Sequence, residues 1–209
     1  MSLTSANTSV NMSGSMRDTS GAPAATAAGL LERPAARVVL VCGFALLTWA
    51  GAKISVPLPG TPVPGTMQTL AVLLAGAVLG ARAGAASQAA YLFMGVAGLP
   101  VFALPGAGPG YLLGPTGGYL FGFIAAAFVV GSLLARRRGG GVPGVAVIFL
   151  LGAVTIHLCG LAWLSVVIGD PAAALRAGVL PFVPFDLAKV VVATAIHAGY
   201  VRWKPSTRP

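Results

Sequence analysis

Apolar residues gather in six long stretches, separated by shorter segments that hold most of the charged and turn-forming residues. A helix needs about 20 apolar residues to cross the hydrocarbon core of a bilayer, and most of the stretches approach that length. The second is short enough to need shelter from its neighbours, and the fifth is long enough to span with tilt. The pattern predicts an all-α protein, a polytopic bundle of six transmembrane helices at roughly 36–53, 66–81, 83–100, 116–135, 143–168 and 185–203.

The two ends of the chain differ from this apolar centre. Residues 1–34 are rich in Ser, Thr, Ala, Gly and Asn, without the apolar segment that opens a secretory signal peptide. We expect 1–34 to be a disordered cytoplasmic tail, 35–204 to be embedded in the membrane and 205–209 to be a second cytoplasmic tail. Six spans place the N- and C-termini on the same side.

The positions of the basic residues test this topology independently. Cytoplasmic segments of membrane proteins carry an excess of Lys and Arg. With both termini inside, three basic residues fall outside, at Lys53, Arg176 and Lys189. The other ten fall inside, and they are Arg17, Arg33, Arg37, Arg82, Arg136, Arg137, Arg138, Arg202, Lys204 and Arg208.

Composition supports the same assignment. The chain is 56% hydrophobic and only 8% charged, whereas a soluble domain carries roughly 25% charged residues. A net charge of +9 would suit a nucleic-acid-binding protein. Such proteins cluster their cations on one face, however, and here the cations are scattered between apolar stretches. We therefore predict a multi-pass protein of the cell membrane, with the lipid bilayer and not nucleic acid as its surroundings.

The connectors on the predicted outer side are long. They cover 53–66, 100–116 and 169–184, whereas the inner connectors near Arg82 and at "RRRGGG" are short. Long loops carry function more often than short ones. Three of them on one side suggest a lid over an outward-facing site.

A glycine-rich segment, "GPGYLLGPTGGYLFGF" at 108–123, resembles a nucleotide-binding loop at first sight. It lacks the Lys and the following hydroxyl residue that an ATP-binding phosphate loop requires. Gly117 and Gly118 instead stand at a predicted helix start. Their lack of side chains admits either a neighbouring helix or a ligand on the backbone N–H groups, and both alternatives stay open.

Two ionisable residues, Asp186 and Lys189, lie in the last apolar stretch. They are three residues apart and so share a helix face. They could form a simple ion pair at the membrane edge, but ionisable residues inside membranes are usually functional. Lys189 could bind a carboxylate and Asp186 could accept N–H groups. The pair would suit a small ligand with an acid at one end and a urea or amide elsewhere.

Other polar residues within apolar stretches are Gln68, Gln88 and Tyr91. Gln88 and Tyr91 share a helix face, because they too are three residues apart. They either line a cavity or form hydrogen bonds between helices. We take both as candidate substrate-binding residues.

Metal binding and catalysis find little support. His157 and His197 lie on different predicted helices without a metal-binding spacing, so no metal site is predicted. Cys42 and Cys159 lie in apolar stretches and are predicted to be small buried core residues. An intramembrane enzyme using both histidines with Asp186 stays as an alternative hypothesis, and it requires the three side chains to meet.

Four segments together resemble one family. "AKISVPLPGTPVPGTMQTLAVLLAGAVLGARAG", "YLFMGVAGLPVFA", "GPTGGYLFGF" and "PFVPFDLAK" resemble the BioY family, the biotin-specific S components of energy-coupling factor (ECF) transporters. The resemblance extends from about residue 36 to 203, in order and with matching spacing. S components often carry an Ala-x-x-x-Ala surface on the first helix, where this chain has Thr48 and Ala52.

This resemblance implies a function. The six-helix domain at 35–204 would be a substrate-binding component for biotin, without cofactor or catalytic residues, energised by a T component and paired ATPase subunits. It implies a pocket near the outer face, with Asp186 and Lys189 at positions where the family contacts biotin and with Gln88 and Tyr91 on the third helix. The alternatives are an S component for another small vitamin and a passive channel.

Overall fold

The computed structural model describes residues 34–137 and 141–203. The predicted tails at 1–34 and 205–209 lie outside them, apart from Pro34. In chain order the elements are α1 (Pro34–Lys53), β1 (Ser55–Val56), β2 (Gly65–Thr66), α2 (Gln68–Leu79), α3 (Ala81–Val96), a 3-10 turn (Pro109–Leu113), α4 (Gly117–Arg136), α5 (Gly141–Ile168), α6 (Pro171–Gly178), a second 3-10 turn (Leu180–Phe182) and α7 (Val183–Trp203).

Four segments among the described residues are long and apolar enough to cross a membrane: Pro34–Lys53, Gly117–Arg136, Gly141–Ile168 and Pro171–Trp203. No more than half of each apolar segment is buried inside the protein. Large apolar side chains such as Val166 therefore cover much of the outer surface. Such a surface is stable in lipid but not in water. The all-α prediction is confirmed.

The second and third apolar stretches form α2 and α3. Only Gly80, with a φ of 79°, separates them, so the chain reverses within a single residue. A left-handed φ of this kind favours glycine. Gly76 and Gly84 face each other across the bend, where an added Cβ on Gly84 would lie 2.9 Å from the Gly76 Cα. The missing side chains let α2 pack in the interior against α3 and α4.

The outer connectors hold more structure than loops alone. The first contains an antiparallel pairing of β1 and β2, with Ser55 opposite Thr66 and Val56 opposite Gly65. The third contains α6, whose start is capped by the Asp170 carboxylate through the N–H groups of two following residues. The sequence patterns predicted neither element, because both are too short to show a period.

Helix α1 presents an unexpected face to the interior. Thr48 and Ala52 are completely buried within the chain, so they do not form an exposed docking surface. The Thr48 hydroxyl donates to Gln88 Oε1 at 3.1 Å. Cys42, on the same helix, is exposed, and the prediction that it belongs to the core was wrong.

Candidate functional site

A pocket lies at the end of the bundle where the three long connectors meet. Each connector contributes to its wall, as do α2, α4, α5 and α7. The pocket encloses about 50 Å³. Its lining consists of Val63, Pro64, Thr66, Gln68, Thr69, Ala103, Tyr111, Thr116, Tyr119, Leu120, Phe123, Ile156, His157, Phe182, Asp186 and Lys189.

Two buried charged residues form the polar centre of this pocket. Asp186 lies in the first turn of α7, and Lys189 follows one turn later. Lys189 Nζ donates to Asp186 Oδ1 at 2.9 Å, and the exposed fractions of the two residues are 8% and 7%. A buried charge is stable only when it is paired and hydrogen-bonded. The predicted neighbours therefore form an ion pair that faces a cavity and not lipid.

His157 of α5 completes this polar centre. Its Nε2 atom lies 2.5 Å from Asp186 Oδ2, while its Nδ1 atom is buried without a hydrogen-bond partner among the residues described. The rings of Tyr119 and Phe182 pack around it at centroid distances of 6.0 and 5.9 Å. Asp186 thus joins His157 to Lys189, and each of these two side chains keeps hydrogen-bonding capacity for a further partner.

The structure separates the two histidines that the enzyme hypothesis requires. His197 lies on the same helix as Asp186, eleven residues further on, which corresponds to about 16 Å along the axis. Its ring packs against Phe149 with the centroids 5.9 Å apart. Only His157 reaches Asp186, so the proposed catalytic group is not assembled.

A second polar wall comes from α2. The Thr66 hydroxyl donates to Gln68 Oε1 at 3.1 Å, and Gln68 Nε2 donates to the Tyr91 hydroxyl at 2.7 Å. Tyr91 in turn donates to the carbonyl of Val101 in the second connector at 3.1 Å. Tyr91 therefore stands behind Gln68 and holds it in place, while Gln68 itself faces the pocket.

Gln88 lies deeper than Tyr91 and does not line the pocket. Its side chain joins α1 to α3: Oε1 accepts from Thr48, and Nε2 donates to Ser87 at 3.0 Å. All three residues are fully buried. A direct ligand contact by Gln88 stays a prediction, and its visible interactions are those of an interhelical hydrogen bond.

Gly117 and Gly118 stand at the start of α4, behind the pocket wall. An added Cβ on Gly118 would overlap the Trp163 side chain and the Cys159 carbonyl, and one on Gly117 would overlap the Leu112 carbonyl. Trp163 Nε1 donates to the Gly114 carbonyl at 2.9 Å and fastens this turn to α5. The glycines allow α5 and the second connector to approach, and their role at the ligand stays a prediction.

Sequence reasoning missed Gln68 and His157 as pocket residues. Both signals were present, since each is a polar residue in an apolar helix, and such residues usually face a cavity or a partner. For His157 the decisive partner, Asp186, is 29 residues away in sequence. No helical spacing rule connects residues that far apart.

Comparison with known proteins identifies the family of this chain. The model of the BioY family matches residues 19–206 of the chain. The chain belongs to the BioY family. Among the described residues, no group of three His, Cys, Asp or Glu is placed to hold a metal ion.

Relatives of this BioY-family chain include two proteins described as "Biotin transporter BioY". The one from Thermotoga maritima is 42% identical over 159 residues, covering 73% of this chain and 88% of that protein. The one from Rhodobacter capsulatus is 36% identical over 183 residues, covering 81% and 95%. These relatives are transporters, which confirms the prediction that this chain is not an enzyme.

A solved structure is also similar to this BioY-family chain. It is the crystal structure of the S-component for biotin from an ECF-type ABC transporter, with a TM-score of 0.74 and 25% identity over 79% of this chain and 90% of the other. Family membership and the apolar spanning helices together identify a multi-pass protein of the cell membrane.

Proposed function

We propose that this chain is a membrane-embedded S component that binds biotin for uptake. The observation that carries the proposal is the buried ion pair of Asp186 and Lys189, which faces a pocket in a chain of the BioY family. An ion pair that served only stability could be replaced by apolar residues with little loss. Its placement against a cavity favours ligand recognition instead.

The two side chains are bonded to each other at 2.9 Å, so their remaining hydrogen-bonding capacity suits one polar end of biotin, the ureido ring. An ionised carboxylate has about four lone-pair sites, and Asp186 uses one for Lys189 and one for His157. The remaining sites can accept the N–H groups of the ureido ring. Lys189 keeps two N–H groups beyond the one given to Asp186, and these can bind the carbonyl oxygen of the same ring.

The remaining candidate residues support the pocket in different ways. We assign Tyr91 to positioning Gln68 at the wall, and Gln88 to holding α1 against α3 beneath it. Gly117 and Gly118 let the second connector and α5 close around the rim. In this proposal they act on biotin through packing, while Asp186 and Lys189 contact it directly.

Binding must enlarge the pocket. The enclosed volume of about 50 Å³ holds only a few water molecules, whereas biotin has a fused bicyclic ring and a five-carbon acid chain. The first connector is the part of the wall we expect to move. Val63 and Pro64 lie between β2 and the short turn before it. The Val63 side chain packs in the core, but its N–H makes only the local bond to Thr61 Oγ1 and ties this stretch to no helix.

The second connector is anchored more firmly. Phe102 is buried and stacks on Tyr111 with the ring centroids 4.3 Å apart. Lys53 Nζ donates to the Pro100 carbonyl at 2.9 Å, which ties the connector to the end of α1. We therefore expect the ligand to displace the first connector against a fixed second one.

The proposal includes a topology and partners. We propose six spans, formed by α1, α2, α3, α4, α5 and α7, with both termini cytoplasmic and with the domain limits predicted above at 1–34, 35–204 and 205–209. The chain has no ATP-binding phosphate loop. Accumulation against a gradient therefore requires an energy source, which we propose to be a T component with ATPase subunits.

Equilibrium binding to the purified full chain tests the proposal. We expect saturable binding of biotin, with other small vitamins failing to compete. Lys189→Ala should weaken binding by at least about 30-fold, because truncating one partner of a buried charge pair costs roughly 2–5 kcal/mol. Arg176→Gln, which removes an exposed cation on α6, is the matched control and should bind normally.

Three outcomes would contradict parts of the proposal. Unchanged biotin affinity in the Lys189 variant would remove that residue from the site. Preferred binding of a different vitamin would agree with an S component but would assign it another substrate. Accumulation of biotin by the pure chain in liposomes, without ATP, partners or an ion gradient, would refute the energetic part.

A further inference from the structure

A second concave site lies at the opposite end of the bundle, between the end of α4, the start of α5 and the last three turns of α7. We call it the basic groove, and its volume is about 510 Å³. Arg137 and Arg202 stand at its rim, and His197 lies deeper. Val142 and Val145 form part of its apolar wall.

The cations of the basic groove have no acidic partner in the part of the chain that the structure describes. Only two acidic residues, Asp170 and Asp186, occur in 34–137 and 141–203. Asp186 is paired at the other end of the bundle, and Asp170 caps α6. The attraction of Arg137 and Arg202 is thus available to an anion from outside the described residues.

One arginine of the groove is already held in position. Arg137 is half-buried, and its Nη2 donates to the Gly141 carbonyl at the start of α5. The guanidinium lies against Gly144, where an added Cβ would come within 3.0 Å of Nη2. An arginine fixed in this way loses less conformational freedom when it binds a phosphate through its planar fork of donors.

The groove also offers apolar surface beside its charges. Arg202 and His197 are five residues apart on α7, which places the histidine roughly 7 Å deeper along the axis. Apolar residues flank these charges on both helices: Val145 lies about one turn beyond the start of α5, and Ala198 and Val201 lie between His197 and Arg202 on α7. The groove therefore combines cations at its mouth with apolar side chains along its walls, the two kinds of surface that a phospholipid can contact.

We infer that the basic groove binds one anionic phospholipid, with its phosphate at Arg137 and Arg202 and its acyl chain along the valine-lined wall. Basic pockets between transmembrane helices select anionic head groups, and each basic side chain adds to the attraction. A soluble phosphate would leave the apolar part of the groove uncovered. This site is separate from the biotin pocket, and only its assignment to the inner leaflet rests on the proposed topology.

Native mass spectrometry of the purified full chain, titrated with phosphatidylglycerol, tests the inference. We expect one tightly retained lipid, and weaker retention of phosphatidylcholine with the same acyl chains. The double variant Arg137→Gln/Arg202→Gln should lose roughly 30-fold in affinity, since each basic residue near an anionic head group contributes about 1 kcal/mol. Arg82→Gln, at the same end but outside the groove, should retain the lipid.

Two further arms separate head group from acyl chain. Ala198→Phe fills the groove without removing a charge and should lower the affinity for the lipid. Glycerol 3-phosphate should fail to displace it. Displacement by glycerol 3-phosphate would make the groove a soluble-phosphate site, and equal retention of both lipids, or equal loss in Arg82→Gln, would make it a nonspecific lipid contact. Either result overturns the inference.

Biotin binding by the same double variant keeps this inference apart from the proposed function. We expect normal biotin affinity and a monodisperse elution profile in detergent. Loss of lipid with retained biotin binding supports the groove. Retained lipid with absent biotin binding in the unmodified chain would refute the proposed function alone.

Discussion

The two ends of the bundle treat charge in opposite ways. At the pocket end, Lys189 and His157 converge on the Asp186 carboxylate, and the ion pair is almost fully buried. At the other end, Arg137 and Arg202 stand at a groove with no acidic partner among the described residues. Basic side chains are therefore paired with an acidic residue of the chain at one end and available to an external anion at the other.

This difference shows which end was organised for a small ligand. A buried pair needs close geometry, because desolvation is offset only by direct partners. The arginines of an open groove need no buried partner, since water and lipid head groups can solvate their free N–H groups. Substitutions at the pocket end should therefore have large effects on stability and binding, and those at the groove end should have small ones.

The largest effect should come from breaking the ion pair on one side. Asp186→Ala leaves Lys189 buried without its partner, and the free energy of unfolding should fall by roughly 3–5 kcal/mol. The double variant Asp186→Ala/Lys189→Met should recover much of this loss but not biotin binding. Thermal unfolding in detergent, followed with and without biotin, measures both. Equal stability of the single and double variants would show that the pair is not coupled.

The next effect should come from the packed start of α4. Gly118→Ala forces a methyl group against Trp163 and should lower the free energy of unfolding by about 1–3 kcal/mol. Gly110→Ala is the matched control in the preceding turn, where an added Cβ meets nothing within 4 Å. Thermal unfolding compares the two. If Gly118→Ala kept its stability and lost biotin affinity, Gly118 would contact the ligand and not α5.

A smaller effect is expected from Tyr91→Phe. Removing the hydroxyl leaves the Gln68 amide without its acceptor, so the free energy of unfolding should fall by about 1–2 kcal/mol. The Gln68 side chain is then free to turn away from biotin. Biotin affinity should fall with it. Tyr200→Phe, at the opposite end of the bundle, serves as the control in the same titration. Full biotin affinity in Tyr91→Phe would show that Gln68 needs no support.

The smallest effect should be at the groove end. Arg137→Gln/Arg202→Gln should lower the free energy of unfolding by no more than about 1 kcal/mol in detergent, because the interaction lost within the described residues is the hydrogen bond from Arg137 to the Gly141 carbonyl. Biotin titration should give the affinity of the unmodified chain. A loss comparable to that of Asp186→Ala would remove the contrast between the two ends.

Most of the fold was predictable, because lipid imposes a simple rule on composition. Each predicted apolar stretch corresponds to a helix, and the limits agree within a few residues, as for the prediction at 143–168 and the helix Gly141–Ile168. The exception to this accuracy is the third stretch, predicted at 83–100, whose helix ends at Val96. Beyond Val96 the chain is no longer in this helix, and Phe102 a few residues later is buried in the core.

The site was predictable only where spacing is local. Asp186 and Lys189 share a helix face, so their contact follows from a separation of three residues. Gln88 and Tyr91 have the same spacing, yet the structure gives them different partners, Thr48 and Gln68. Helical periodicity indicates which residues share a face, but it does not indicate what that face meets.

Composition and helix periodicity were thus sufficient to predict the membrane environment, the helices and the proximity of Asp186 to Lys189. Each of these features depends on neighbours along the chain or on the surrounding solvent. Packing between distant segments settled the rest. His157 meets Asp186 across 29 residues, and α1 turns Thr48 inward toward α3. Such contacts depend on how whole helices orient against each other, and no short stretch of sequence contains that information.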